Sequence, residues 1–581
     1  MTRTASRGKP DAKRWTARRE NSALASSLAS SLGVSHVVAG VLAARGVEDE
    51  GAARALLHPS HEQLHDPNLM LGMRESVARV LRATEAGERI LIYGDYDVDG
   101  TTGTVVLRRV LEVLGARTGF HVPHRFTEGY GIRQDVLERA KAEGYKLVIS
   151  VDCGIRAHEP LEWARTNGLD VIVTDHHLPD EDEGAPPAFA VLNPNQRGCA
   201  YPYKSLAGVG VAFKLAHALL RERGRESLVG GFLKVVAIGT VADVAQLTGE
   251  NRAIVALGLA DLHRATNPGL RALMEVAGCG DGRGMKAFDL GFRVGPRINA
   301  AGRMDAARAV VELFETKDAG EARRLAEHLD ARNRERREIQ QQVTERAVAE
   351  LFESGQDETA VIVVAGQGWH RGVIGLAASK IVEKLQRPTV VISLDEDGAG
   401  HGSARSTERF HMLDALTACA DLLEGFGGHA HAAGLGVRRE NVAELRRRLN
   451  EHAAGVTRGE DIAPSLEYDL ELEADALSLE LCEALAVLEP FGAGWPRPVF
   501  VTRGLKAVSE PRVVKERHLK FNAVARDGRV HECIWWGGAE KCSATPRPGQ
   551  SIELAYSVEA NCWQGRTRLQ LVVEDLKASD K

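Results

Sequence analysis

None of the eight cysteines (Cys153, Cys199, Cys279, Cys419, Cys482, Cys533, Cys542, Cys562) pairs with another in a C-x-x-C unit. That excludes a zinc ribbon and a dense disulfide framework, and no secretory pattern accompanies them. They read as reduced thiols of a cytoplasmic protein. No apolar run approaches the ~18 residues that a membrane helix needs. An excess of positive charge is also lacking. The formal net charge is −6, which excludes a histone-like binder, so any nucleic-acid contact must come from local basic clusters. With 581 residues the chain is too long for one core, and three or four domains are expected.

What the chain does have is organised around Leu91-Ile-Tyr-Gly-Asp-Tyr-Asp-Val-Asp-Gly100. Ile90–Tyr93 reads as a short buried strand broken by Gly94. Asp95, Asp97 and Asp99 follow, and then the apolar-periodic segment Val105–Leu114. Strand, acidic turn and helix start form the geometry of an α/β sheet that holds a ligand at the carboxyl ends of its strands. Three acids within five residues repel one another unless a cation neutralises them, and oxygen donors suit Mg²⁺ or Mn²⁺. A solvated acidic turn is the alternative for this stretch alone. The pattern repeats, however. Leu147–Val151 ends in Asp152-Cys-Gly154, Asp170–Thr174 ends in Asp175-His176-His177, and Ala190–Leu192 ends in Asn193-Pro194. One Asp after a strand is ordinarily a helix cap, but three such termini in one domain predict a convergent site. Asp243 closes the apolar segment Val235–Ala242, where a charge is costly unless paired or bound to a cation. A surface acid at a helix end is the other reading there.

The rest of the chain falls into distinct stretches. Residues 1–20 carry seven basic side chains among small polar residues and read as a disordered basic tail. Residues 21–89 form a helical lead-in expected to pack on the first domain, which spans 90–305. Within it, Arg293-Val-Gly-Pro-Arg297-Ile-Asn299-Ala-Ala-Gly-Arg303 reads as a rigid turn offering guanidinium forks to phosphate, or as arginines simply solvated on a loop. Residues 306–355 contain a Gly- and Pro-free run, Glu321–Ser354, with alternating charges. It predicts an interdomain strut of about 50 Å at ~1.5 Å per residue, bridging through solvent. Residues 356–456 form a second α/β domain. Its strands are Ala360–Val364 and Pro388–Ser393, and its Gly-rich turns carry Ser403, Arg405, His429 and His431 where backbone N–H groups can cradle phosphate. Residues 457–581 contain about five short strands separated by turns, a small β-barrel. Its Trp535, Trp536, Tyr556 and Trp563 accompany Arg512, Lys515, Arg517, Lys520, Arg526, Arg566 and Arg568, a composition suited to stacking on single strands, with at least half of the aromatics assigned to the core.

Asp95-x-Asp97, Asp152, Asp175-His-His177 and Asp243 together resemble the metal motifs of the DHH phosphoesterase superfamily. Gly402-Ser-Ala-Arg405 and Gly427-Gly-His-Ala-His-Ala-Ala-Gly434 resemble its DHHA1 partner domain. The strut, the Pro490–Pro498 stretch and the terminal barrel narrow the likeness to the RecJ-type family. The implied architecture is two α/β domains, DHH and DHHA1, joined by a long helix and followed by an OB-fold. The implied activity is single-stranded-DNA-specific 5′→3′ exonuclease, serving DNA repair and recombination through two Mn²⁺ or Mg²⁺ ions per site. The resemblance implies that Asp152 bridges the two ions, Asp95 holds one, and Asp97, His176 and Asp243 hold the other. Imidazole beside carboxylates favours Mn²⁺. By the same resemblance His177 contacts the scissile phosphate and Asp175 orients the imidazoles. Arg125, Arg297, Ser403 and Arg405 grip the 5′ end, and Asn299, Arg303, His429 and His431 join the substrate contacts. Asp99 stays open between ligand and turn stabiliser. Leu91 stands where related metal sites often carry a His, which implies a weakly held first ion. Trp495 stands where Asn is expected. Partners implied are single-stranded DNA and, beyond it, a helicase and a single-strand-binding protein, with the chain a monomer. Two rival readings are a DHH phosphatase or nanoRNase acting on short oligonucleotides, and a non-catalytic replication or repair scaffold. The barrel speaks against the first and the intact carboxylates against the second.

Overall fold

The computed structural model describes residues 13–180, 182–280, 284–304, 307–356, 358–456, 465–542 and 545–579. The first domain is built on a five-stranded sheet in the order Arg117–His121, Arg89–Gly94, Tyr145–Val151, Asp170–Thr174, Ala190–Leu192, with every neighbour parallel. Ile90, Ile92, Leu147, Ile149 and Ile172 are fully buried, as expected of strands covered on both faces by helices. The carboxyl ends of the three central strands therefore meet at one edge. The edge strand Arg117–His121 was not anticipated, because Arg-Thr-Gly-Phe-His carries no apolar run.

The second domain holds a five-stranded sheet ordered Leu423–His429, Ala432–Arg438, Ala399–Arg405, Thr389–Leu394, Ile362–Gln367. The Gly-rich turns expected around Ser403, Arg405 and His429 are strands instead, and His431 lies in the tight turn between two of them. A side chain at Gly402 would meet Leu435 at 2.7 Å, so glycine permits the close packing of these strands. The expected rigid turn around Arg297 is likewise a helix, Gly295–Arg303, entered through an irregular turn at Leu290–Val294. Pro296 sits in its first turn, where a missing N–H costs nothing.

The connecting helix runs Ala319–Glu353, 35 residues, but it does not bridge through solvent. Ala322, Leu325, Ala326 and Leu329 belong to a core of the first domain, while Val343, Ala347 and Leu351 belong to a core of the second. The strut is thus rooted at both ends.

The terminal sheet has seven strands, and pairing of Phe500–Ala507 with His518–Val524 closes it into a barrel. Trp535 and Tyr556 are core, Trp536 is half exposed against His518, and the side chain of Trp563 lies outside the described residues. The helical lead-in divides between partners. Leu28, Val38, Val41 and Leu42 pack into the barrel core, whereas Met70, Met73, Val77, Val80 and Ala83 pack on the first domain. Of the expected basic tail, residues 1–12 lie outside the described residues, whereas Arg14–Ala17 form a strand parallel to Ser465–Tyr468. Arg252 rivets the barrel to the first domain by donating to the carbonyls of Leu56, Leu488, Glu489 and Pro490. Trp495 is buried between Arg45 and Arg252, 4.7 and 5.6 Å from its ring, and its Nε1 donates to Leu488 O, so an indole at this position serves the docking.

Candidate metal centre and anion pocket

The parallel sheet gathers Asp95, Asp97, Asp99, Asp152, Asp175, His176, His177 and Asp243 at one edge. Donor atoms within 4.8 Å of one another define three overlapping sets: Asp95, Asp97 and Asp152; Asp99, His176 and Asp243; and Asp152, His176 and His177. Asp152 belongs to two of them. Asp97, expected beside His176 and Asp243, stands instead with Asp95 and Asp152, and Asp99 takes its place in the other set. The cause is local. Asp97 caps the helix Val98–Val113, its Oδ1 accepting from Gly100 N at 3.0 Å, which turns its carboxylate back toward Asp95. Asp99 sits two residues on and accepts from Gly208 N and Val209 N at 2.6 and 2.7 Å, the N-terminus of the helix Gly208–Glu222. Asp99 therefore caps one helix while lying in another and still approaches His176 Nε2 to 3.8 Å. Only glycine fits at 208, because a Cβ there would lie 2.6 Å from Asp152 Oδ1.

These acids are held against their own repulsion. Burial, then neighbouring carboxylates, raises Asp95 and Asp152 well above the usual range, Asp99 to about 7 and Asp243 to about 9. Asp95 Oδ1 and Asp152 Oδ1 are buried without a hydrogen-bond partner among the described residues, although His176 Nε2 is 3.2 Å from the latter. Asp152 also adopts φ +62° in a non-glycine residue. Burial, then the adjacent His177, lowers His176 to about 4, keeping it a neutral donor. Orphaned carboxylate oxygens and a neutral imidazole are the donor set that divalent cations such as Mn²⁺ and Mg²⁺ require, so the residues fit the ions.

Asp175 behaves differently. Burial pushes it up, but hydrogen bonds from His177 and the Ile155 and His177 amides hold it below the usual value. Its Oδ1 accepts from His177 Nδ1 at 2.8 Å. Tyr130 Oη stands 3.1 Å from the same nitrogen and donates to Asp152 O. Asn193 and Asn195 brace the turn by donating to the His177 and His176 carbonyls at 2.8 Å. Tyr130, Asn193 and Asn195 were not predicted as site residues. Asn193 had one signal, its place at the end of a fourth strand.

Beside the acids lies a pocket of the opposite sign. The Arg125 guanidinium covers the Tyr96 ring at 5.0 Å. Burial, then the charges of Arg125, Arg336 and Arg405, lowers Arg303 to about 9. Arg405 Nη1 donates to Ser403 Oγ at 3.1 Å, and both side chains face the helix Arg371–Leu385 at Gly375, its fifth residue. His429 and His431 lie on the hairpin flanking Arg405, exposed, with the positive charge of Arg405 felt at His429. Arg336, from the connecting helix, was not predicted. Two candidates lie elsewhere. Arg297 is committed to Asp330 at 2.9 Å and to Val276 O, so its fork is not offered to phosphate. Asn299 Oδ1 accepts from Val98 N at 3.2 Å and positions the acidic turn. Leu91 is core, buried in the cluster with Ile132 and Val136.

An acid-and-imidazole centre at the carboxyl edge of a parallel sheet, faced by a second α/β domain, defines the DHH–DHHA1 class of proteins. Family models match accordingly: the DHH family N-terminal domain over residues 89–240, the DHHA1 domain over 358–455 and the RecJ OB domain over 468–575. The chain is 38% identical over 569 residues to the single-stranded-DNA-specific exonuclease RecJ of Bacillus subtilis, covering 98% of this chain and 71% of that protein. It is 36% identical to the Escherichia coli RecJ over 87% of this chain and 90% of the relative. The crystal structure of Thermus thermophilus RecJ in complex with Mn²⁺ superposes with a TM-score of 0.82 at 31% identity, over 98% of this chain and 80% of that one. The Mg²⁺ complex of the same protein gives 0.77, over 98% and 79% of the two chains at 29% identity. This chain belongs to the RecJ family.

Proposed function

We propose that this chain is a single-stranded-DNA-specific exonuclease that hydrolyses phosphodiester bonds from the 5′ end. The observation that carries the reading is the juxtaposition of two like-charged clusters. The carboxylates of Asp95, Asp97, Asp152, Asp99 and Asp243 repel one another, and beside them the guanidiniums of Arg125, Arg303, Arg336 and Arg405 do the same. A phosphate chain and its cations relieve both at once. Asp95, Asp97 and Asp152 would hold one ion, and Asp99, His176 and Asp243 the other. Bound there, Mn²⁺ or Mg²⁺ lowers the pKa of water and neutralises charge on the phosphate.

The chain's own residues do the rest. The guanidinium forks of Arg125, Arg303 and Arg405, with Ser403 Oγ and the N-terminus of the helix Arg371–Leu385, grip a terminal 5′ phosphate. His429 and His431 sit at the rim of that pocket. Asp175 and Tyr130 keep the proton of His177 on Nδ1 and leave Nε2 as its working nitrogen. Burial lowers His177, but Asp175 outweighs burial and raises it, so the ring is readily charged and offers a proton to a phosphate oxygen. The walls of the cleft touch, with Phe126 and His370 ring centroids 5.6 Å apart and Arg303 Nη1 donating to Gly372 O at 3.0 Å. A passage closed in this way admits one strand and excludes a duplex. The barrel extends the path, with a cavity of about 690 Å³ lined by Lys520, Glu532, Asn561, Gln564, Arg566 and Arg568.

The biological setting that follows is repair and recombination in the cytoplasm, as a monomer working beside a helicase and a single-strand-binding protein. No helix among the described residues is long and apolar enough to cross a membrane. Digestion of single strands labelled at either end, with Mn²⁺ supplied, tests the reading. Release from the 5′ label first is expected. A protein that prefers a dinucleotide to a 5′-phosphorylated 20-mer is a small-substrate phosphodiesterase instead.

A further inference from the structure

Phe288 and Phe292 are 51% and 66% exposed, yet their rings stack on each other with centroids 4.6 Å apart and planes at 23°. Two phenyl rings paired in solvent are unusual, since large apolar side chains on a surface ordinarily mark a contact. Their position gives the contact a meaning. Phe292 stands on the irregular turn leading into the helix Gly295–Arg303, Phe288 stands on the short helical turn just before it, and the helix runs past the acidic centre. At its start a methyl on Gly295 would lie 3.1 Å from the Ala242 side chain, next to Asp243. At its midpoint Asn299 holds Val98 N. At its end Arg303 enters the arginine pocket, and a methyl on Gly302 would lie 2.3 Å from Tyr96 O. Eleven residues separate Phe292 from Arg303, roughly 16 Å at the helical rise. The aromatic pair and the phosphate pocket thus lie at opposite ends of one helix, with the acids between. Val244, directly after Asp243, is exposed to 70% and widens the apolar rim. Just before the pair, Lys286 Nζ binds Glu489 Oε1 at 2.7 Å, so the rim runs on toward the segment that docks the barrel.

We propose that Phe288 and Phe292 are a stacking platform for bases of the single strand on the 3′ side of the scissile bond. The inference rests on the exonuclease reading above and adds a specificity element to it. A strand seated with its 5′ phosphate among the arginines and its scissile phosphate over the acids leaves the centre past these rings. Every base has a π-face, so stacking there holds the strand without reading its sequence. It also requires unpaired bases, and a duplex, whose bases are already stacked, cannot supply them. The platform therefore selects for single strands independently of cleft width.

The test compares the full wild-type chain with the F288A/F292A double variant; neither residue touches the acids. In chelator, which stops cleavage, the variant is expected to bind a 5′-phosphorylated 20-mer more weakly by on the order of tenfold. With Mn²⁺ its turnover of a dinucleotide, too short to reach the rings, stays within about twofold of wild type. Abasic sites placed along the 20-mer weaken wild-type binding at one or two positions and leave the variant indifferent there. Tryptophan at both positions restores binding. Equal 20-mer affinity for wild type and variant, with identical responses to the abasic sites, overturns the inference and assigns the rings to a protein partner. If wild type fails to digest the 20-mer with Mn²⁺, the exonuclease reading itself falls, and that readout does not involve the phenylalanines.

Discussion

Lys214 and Glu250 are as deeply buried as Asp95 and Asp152, but their surroundings are built on the opposite rule. Lys214 Nζ lies 2.5 Å from Glu250 Oε1 and donates to His65 O, while Glu250 also accepts from Tyr201 Oη and His65 N. Every charge in that network has an opposite charge or a dipole beside it. In the acidic centre several carboxylates crowd together around two imidazoles, and Asp95 Oδ1 and Asp152 Oδ1 are buried without hydrogen-bond partners among the described residues. In the arginine pocket three further guanidiniums crowd Arg303. A folded chain tolerates such places only where surrounding structure over-determines them. The difference teaches where this molecule stores free energy for a ligand and where it spends charge on holding itself together.

Substitutions in the two regions should therefore move activity and stability in opposite senses. The largest effect is expected at Asp152→Asn, which removes the carboxylate shared by two donor sets. Nuclease turnover should fall by on the order of 10³-fold, while the metal-free protein melts at a higher temperature because repulsion is relieved. A lower melting point in chelator would mean that Asp152 stabilises the fold, and the contrast between the two regions would fail. Glu250→Gln should do the reverse. It leaves Lys214 buried and unpaired and costs about 3–5 kcal/mol of stability, visible as a shift of the denaturant midpoint, while turnover per folded molecule is retained.

Arg405→Ala should raise KM for 5′-phosphorylated strands by roughly tenfold, because a charge-assisted bond is worth about 1.5–3 kcal/mol. Its effect on strands ending in a 5′ hydroxyl should be much smaller, and equal losses on both would remove Arg405 from the 5′ pocket. Tyr130→Phe keeps the ring beside His177 and loses only the hydroxyl. Turnover should drop by about tenfold with KM nearly constant.

The mildest effect concerns pH. Asp99 and Asp243 are pushed up to about 7 and about 9 in the folded chain, above the ordinary carboxylate value of 3.8, so the folded chain binds protons that the unfolded chain has released. Metal-free stability is then fully present below about pH 4 as far as these two groups are concerned, and it is lost as pH rises through 7 and 9. Mn²⁺ must displace those protons, so its stabilising effect should grow over the same window. Calorimetry with and without chelator between pH 6 and 9 measures both slopes.

Much of this site was legible beforehand because short-range pattern carries it. Four apolar runs, three of them ending in acid or imidazole, place Asp95, Asp152 and Asp175-His-His177 at strand ends, and those strands formed. Where composition and spacing fit two structures, long-range pairing chose between them. Glycine around Ser403 and His429 signals a turn by composition, yet strand pairing turned both stretches into sheet. Arg297 and Arg303 looked equivalent in one motif. Six residues along a helix is a rotation of about 240°, which sends one to Asp330 and the other to the phosphate pocket. Arg336 carried no local signal at all among the charges of the connecting helix.

By itself the sequence determined which residues are acids, which segments alternate between strand and helix, and which turns end each strand, because these depend on neighbours a few positions away. Tertiary structure alone decided that Asp97 stands with Asp95 and Asp152, that Asp99 joins His176 and Asp243, and that four distant arginines meet. It also seated the first helices in a barrel more than 400 residues downstream. Such groupings follow from strand order and from how packed surfaces interlock, and no window along the chain contains that information.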